Sequence, residues 1–145
     1  MNVAVTCGAS PIMADVVALI GELPQVESIT LVDAEPIDFT HGCRTACVPY
    51  GRQPEYGEVM RSLCSREGIS YIFVGSDEEA QALARTSWAG AISHLDTAER
   101  TALVCDKYRL HMMLGGYGLG QTNLGIVKLT IIFAVVRGLF GSKWR

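Results

Sequence analysis

Ile69-Ser70-Tyr71-Ile72-Phe73-Val74-Gly75-Ser76-Asp77-Glu78-Glu79-Ala80-Gln81-Ala82-Leu83-Ala84 reads as a strand, a turn and a helix. Ser70 to Val74 carries the β-branched and aromatic side chains of a buried parallel strand, and Gly75 lets the chain turn. Ser76 is placed to cap a helix that begins Asp77-Glu78-Glu79. Three carboxylates then crowd one helix N-terminus, where free N–H groups and the partial positive charge of the helix favour acids. Capping is one reading of that cluster. The other is a ligand edge, because ligands of open α/β sheets sit outside the carboxyl ends of the strands, and Ser76 to Glu79 follow such an end.

Working outward, the pattern repeats. Upstream, Glu55 to Glu67 reads as a helix with Val59, Met60, Leu63 and Cys64 on one face, closed by Gly68 as its left-handed cap. At the start of the chain, Asn2 to Thr6 is a short buried strand. The loop Cys7-Gly8-Ala9-Ser10-Pro11 follows, with Ser10 expected at N-cap and Pro11 at the first helical position of a helix reaching about Leu23. Ile29 to Val32 forms a second strand that ends at Asp33, and Thr45 to Val48 a short third strand after the loop Pro36 to Arg44. Downstream, Ala89 to Ser93 is a weaker fifth strand. A helical turn begins at Asp96 or Thr97, and a last helix spans about Asp106 to Leu114.

Alternating strands and helices through about residue 95 predict an α/β fold of the Rossmann-like kind. About five mainly parallel strands carry helices on both faces, and the ends of the first, second and fourth strands meet in one cleft. The residues expected to line it are Gly8, Ala9, Ser10, Asp33, Ser76, Asp77, Glu78 and Glu79. The dinucleotide fingerprint G-x-G-x-x-G is not met, since only Gly8 falls near the first turn while Ser10 and Met13 stand where glycines belong. Asp33 occupies the place of a ribose-binding acid, but an acid there also simply ends a strand. Cys7, just ahead of a helix, reads either as a thiol of lowered pKa or as a small buried side chain.

The 145 residues are one domain's worth of chain. A net charge of −3 and a pI near 5.6, with no block of Lys or Arg, give phosphate backbones little to grip and argue against nucleic acid as a partner. Five cysteines without a C-x-x-C pair, behind a start that lacks a secretory signal, fit a reducing cytoplasm. His41, Cys43 and Cys47 make a set one ligand short of a zinc site. Neither Ser10 nor Ser76 sits in a nucleophile spacing such as G-x-S-x-G.

Five phrases in order carry a resemblance: Val3-Ala4-Val5-Thr6 with Gly8, Leu31-Val32-Asp33-Ala34-Glu35-Pro36, Val48-Pro49 before Tyr56, Gly75-Ser76-Asp77-Glu78-Glu79, and Cys105-Asp106-Lys107-Tyr108. Together they resemble the N-terminal pre-ATP-grasp domain of ATP-grasp ligases, nearest to carbamoyl-phosphate-synthase-like members, over residues 1–114. The resemblance implies a Rossmann-like domain that normally precedes two further lobes. In such ligases ATP and Mg²⁺ are held by those lobes while a carboxylate is activated as an acyl phosphate. Lys107 matches the family's basic residue that reaches the nucleotide, and read alone it is also an ordinary solvated helix residue. The later lobes are absent here, so ATP and Mg²⁺ are expected only if a separate ATP-grasp polypeptide completes the site.

After Leu114 the chain departs from that family. Residues 115–123, with Gly115, Gly116, Gly118 and Gly120, read as a glycine-rich linker; a phosphate cradle would need a preceding strand and the Lys-Ser/Thr of a P-loop. Residues 124–145 form an apolar tail. Its uncharged core, Leu129 to Val136, is far shorter than the roughly 18 residues a membrane span needs. Lys128 and Arg137 fall on opposite faces of a helix, so no polar face suits a lipid surface. Burial on another protein surface follows, with a homodimer through the tail as the expected assembly. Three functions compete: a free-standing pre-ATP-grasp-like module that binds a small ligand or a partner without catalysis of its own, a structural subunit completing a separately encoded ligase, and a small nucleotide-dependent enzyme.

Overall fold

The computed structural model describes residues 1–38, 40, 42–87, 92–93 and 95–116. Their elements, in chain order, are β1 (Asn2–Thr6), α1 (Ile12–Gly21), β2 (Ser28–Asp33), β3 (Arg44–Cys47), α2 (Tyr56–Glu67), β4 (Ile69–Phe73), α3 (Asp77–Ala84), β5 (Ile92–Ser93), α4 (Ala98–Cys105) and α5 (Lys107–Gly116). Four strands form an all-parallel sheet in the order β3-β2-β1-β4, and the two residues of β5 add a parallel rung beside β4. The fold is α/β and Rossmann-like. The first strand lies in the middle, pairing β2 on one side and β4 on the other.

Alternation along the strands builds a core on each face. Val3 and Val5 of β1, Ile29 and Leu31 of β2 and Tyr71 of β4 pack with Val17 and Ile20 of α1. Ala4, Val32 and Ile72 point the other way, onto Tyr56, Met60, Leu63 and Cys64 of α2 and Leu83 of α3. The buried α2 residues fall at i, i+4, i+7 and i+8, one stripe of a helix. Each large apolar side chain so placed contributes about 1.5–3 kcal/mol. Met60→Ala, at a fully buried position, would open a cavity costing about 2–5 kcal/mol. Gly68 ends α2 at φ 63°, and its N–H returns to the Cys64 carbonyl.

Several expectations shift by a residue or more. The third strand is Arg44–Cys47 rather than Thr45 to Val48; Val48 follows it, with its N–H donated to the Asp33 carbonyl at 3.0 Å. The first helix ends at Gly21 rather than Leu23, and Ser10 does not cap it. Pro11 holds the N-cap position, and the N–H groups of Met13 and Ala14 reach back three residues to the Ser10 and Pro11 carbonyls. What was expected as a helical turn after Asp96 is the eight-residue α4. Of the expected strand Ala89 to Ser93, residues 89–91 lie outside the described residues, as do His41 and the tail 124–145.

The chain divides into two compact units, Met1–Cys105 and Asp106–Arg145. In the second, α5 continues through Gly115 and Gly116, the first residues of the expected linker, whose remainder lies outside the described residues. Asp106 starts this helix: its Oδ1 accepts the Arg109 N–H at 3.0 Å and its carbonyl accepts the Leu110 N–H at 2.9 Å.

Candidate functional site at the carboxyl edge of the sheet

Because β1, β2 and β4 are parallel, Thr6, Asp33 and Phe73 end them on one edge, and the loops that follow carry most of the residues singled out from the sequence. Gly8 is pressed against β2. Its N–H donates to the Val32 carbonyl at 3.0 Å, and a Cβ there would stand 3.0 Å from Leu31 Cβ and 3.1 Å from Val32 N. Any side chain there would have to push the neighbouring strand back by a few tenths of an ångström. Asp33 ties the same loop down: Oδ2 accepts the Ala9 N–H at 2.9 Å, and Oδ1 accepts the Glu35 N–H at 3.0 Å. Both oxygens of the acid at the ribose position thus hold backbone.

On the opposite side of β1, a buried polar cluster closes the start of α3. Thr6 is the next residue on the face of Ala4, and its hydroxyl donates to Glu79 Oε2 at 2.7 Å. The Ser76 hydroxyl donates to the same oxygen at 2.8 Å while accepting the Glu79 N–H at 3.3 Å as N-cap. Thr6 Oγ1 in turn accepts the Gly75 N–H at 3.0 Å, which fixes the turn out of β4. Glu79 is only 7% exposed, and among the described residues no Lys or Arg pairs with it. Its charge is held by hydroxyl groups and by the positive end of α3.

Tyr56, the first residue of α2, is fully buried and its hydroxyl belongs to the same neighbourhood. It closes no hydrogen bond of good geometry. Burial first, and then the negative charge of Glu79, push this phenol far above its ordinary range. A turn from Tyr50 to Gln53 lies over the helix start. A Cβ on Gly51 would fall 2.7 Å from Glu79 N and 2.9 Å from Glu78 C, so the loop backbone rests on the first turn of α3. The Tyr50 N–H donates to Gln53 Oε1 at 2.6 Å, the Tyr50 hydroxyl to Glu35, and the Arg52 guanidinium lies 5.0 Å from the Tyr50 ring centroid.

Cys7 sits between the two groups of acids in a left-handed backbone conformation, φ 59°. Burial, then the charges of Glu79 and Asp33, push its thiol above the ordinary value. Of the two readings of Cys7, this favours the small buried thiol over the one of lowered pKa, since a helix N-terminus lowers a thiol pKa only where nearby carboxylates do not oppose it. The Ser10 hydroxyl does not cap α1, and Asp77 and Glu78 join Glu79 in the acidic first turn of α3. Lys107 opens α5, in the second unit.

Thr6, Tyr56 and Gly51 were missed in the sequence. The S-x-x-E spacing of Ser76 and Glu79 is a capping-box signature that points to an inward-turned Glu79. Nothing local marks Thr6 or Tyr56 as its company, since they arrive from 73 residues away and from another helix. Among the described residues no group of three or more His, Cys, Asp or Glu is arranged to hold a metal ion, and no helix is long and apolar enough to cross a membrane. Comparison with models of protein families finds no match, and comparison with curated proteins finds none either.

Proposed function

We propose that this chain is a Rossmann-like binding module of the pre-ATP-grasp kind, without catalysis of its own, which takes a small ligand or a partner polypeptide at the carboxyl edge of its sheet. The observation that carries the reading is how the edge is built. The N–H groups of Gly8, Ala9, Gly75 and Glu79 are already donated within the protein, to Val32, Asp33, Thr6 and Ser76. The charged side chains around them are predominantly acidic, Asp33, Glu35, Asp77, Glu78 and Glu79, with Arg52 drawn onto the Tyr50 ring. A phosphate cradle needs free N–H groups and positive charge. ATP and Mg²⁺ are therefore expected here only where ATP-grasp lobes complete the site, with Lys107 as this chain's contribution to the nucleotide. The assembly that accompanies the reading is a homodimer made through the apolar tail.

The test uses the pure full-length chain. Phosphate release from MgATP should stay at background, and small carboxylates, amines and nucleotides added one at a time should move backbone amide resonances of Gly8, Asp33 and Ser76 before any others. Steady phosphate release abolished by Lys107→Ala would make the chain an enzyme. Ligand-induced shifts confined to residues away from this edge would remove the site.

A further inference from the structure

The outward side of α1 carries apolar residues where a surface helix is normally charged. Val17 and Ile20 face the sheet, while Ile12, Asp15, Ala18, Leu19 and, one residue past the helix, Glu22 face out; Ile12 is 73% and Leu19 66% exposed. Asp15 is the only charged residue within the helix. A helix apolar on both sides is ordinarily covered on both. Charge is also partitioned along the chain. Residues 1–43 contain Asp15, Glu22, Glu27, Asp33, Glu35 and Asp38 but no Lys or Arg, whereas residues 117–145 contain Lys128, Arg137, Lys143 and Arg145 but no Asp or Glu.

We propose that the outer face of α1 is the seat for the apolar segment Leu124–Phe140 of a second copy of this chain. The proposal rests on the tail-mediated dimer above and names the surface that receives the tail. Two arguments support it. The segment brings only positive charge to a helix face whose own charges, Asp15 and Glu22, are negative, so attraction favours this face over the mixed-charge surface of α2, where Arg61 and Arg66 stand beside Glu58 and Glu67. Seven residues, 117–123, lie between Gly116 and Leu124, and the eight Cα-to-Cα steps they span reach up to about 28 Å when extended, enough to leave one copy for the next. Each copy gives one tail and receives one, which closes the pair about a two-fold axis.

The experiment follows mass by light scattering on full-length proteins. The wild type should be a dimer whose dissociation constant rises with salt. Leu19→Glu, at an exposed position, should keep the circular dichroism and melting temperature of the wild type while weakening the dimer at least about tenfold; Ile12→Glu provides the same test should Leu19→Glu misfold. Phe133→Glu spoils the tail and should weaken it likewise. Mixing Leu19→Glu with Phe133→Glu pairs an intact tail with an intact seat, and a one-to-one heterodimer should form with one working exchange. A wild-type dimer that both α1 variants leave intact overturns the seat but keeps the tail-mediated dimer. A wild-type monomer at every concentration overturns both. Failure of the two weakened variants to pair on mixing overturns the exchange.

Discussion

The hydroxyl of Thr6 donates to the carboxylate of Glu79 at 2.7 Å, joining the end of the central strand to the first turn of a helix 73 residues later. Thr6 Oγ1 also accepts the Gly75 N–H, so one oxygen holds both the helix and the turn that leads to it. Thr6→Val keeps the shape and removes both bonds, leaving a buried carboxylate and a half-buried N–H short of partners. It should cost about 1–3 kcal/mol in urea denaturation. Thr6→Ser, which keeps the hydroxyl, should recover most of that loss.

Tyr56→Phe should behave in the opposite way. The hydroxyl is fully buried and makes no well-formed hydrogen bond, so deleting it removes a desolvated polar group without orphaning another. Urea midpoints within about 0.5 kcal/mol of wild type, or higher, are expected. A loss above about 1 kcal/mol would mean that the phenol donates to Glu79 in solution.

Gly51→Ala should destabilise by roughly 1–3 kcal/mol, because its Cβ would meet backbone atoms of Glu78 and Glu79 that cannot turn aside. Gly21→Ala is the control. Its Cβ would meet only Ile29 Cδ1 at 3.9 Å, and at the last helical residue alanine should stabilise by about 0.5–1 kcal/mol. Thermal denaturation of the pair gives shifts of opposite sign if the loop rests on α3 as described.

Alkaline pH should unfold this protein through its buried acids. Burial pushes the Cys64 thiol from 9.0 up to about 11, and raises Cys7, Tyr56 and Tyr71 as well. In each the proton-bound form is the one folding favours. The contribution of Cys64 is therefore complete below pH 9 and lost as pH climbs through 11. Stability measured by denaturant should be level near neutrality and fall above pH 9, and Cys64→Ala should flatten the first part of that fall. Thiol labelling at neutral pH should find exposed Cys47 first and buried Cys64 last.

The strands and helices of the first unit were legible because hydrophobic period and punctuation agree: Val3 to Val5 and Ile29 to Val32 are short apolar runs, and Gly68 and Ser76 stand where a cap is needed. Ser10 misled because its hydroxyl had the right type and place, but Pro11 took the cap position and the first N–H groups closed onto carbonyls three residues back. The site was legible only as a set of loop residues on one edge. Periodicity places Thr6 on a face, but which helix meets that face depends on the crossover from β1 to β4, a non-local pairing that no window of sequence contains. Asp33 shows the same gap: its position was readable, and its engagement by Ala9 and Glu35 was not.

A sheet whose first strand is its middle one sets a schedule for synthesis. Once Asp33 has left the ribosome, β1 and β2 can pair, but the other side of β1 waits for Phe73, about 40 residues and roughly 2–8 s later at ordinary elongation rates. During that interval the N–H and C=O groups of Val3 to Val5 form an open, apolar edge of the kind that joins neighbouring nascent chains. Translation slowed between Ser28 and Ile69 should therefore lower the soluble yield more than the same slowing after Phe73, when β4 has already covered that edge.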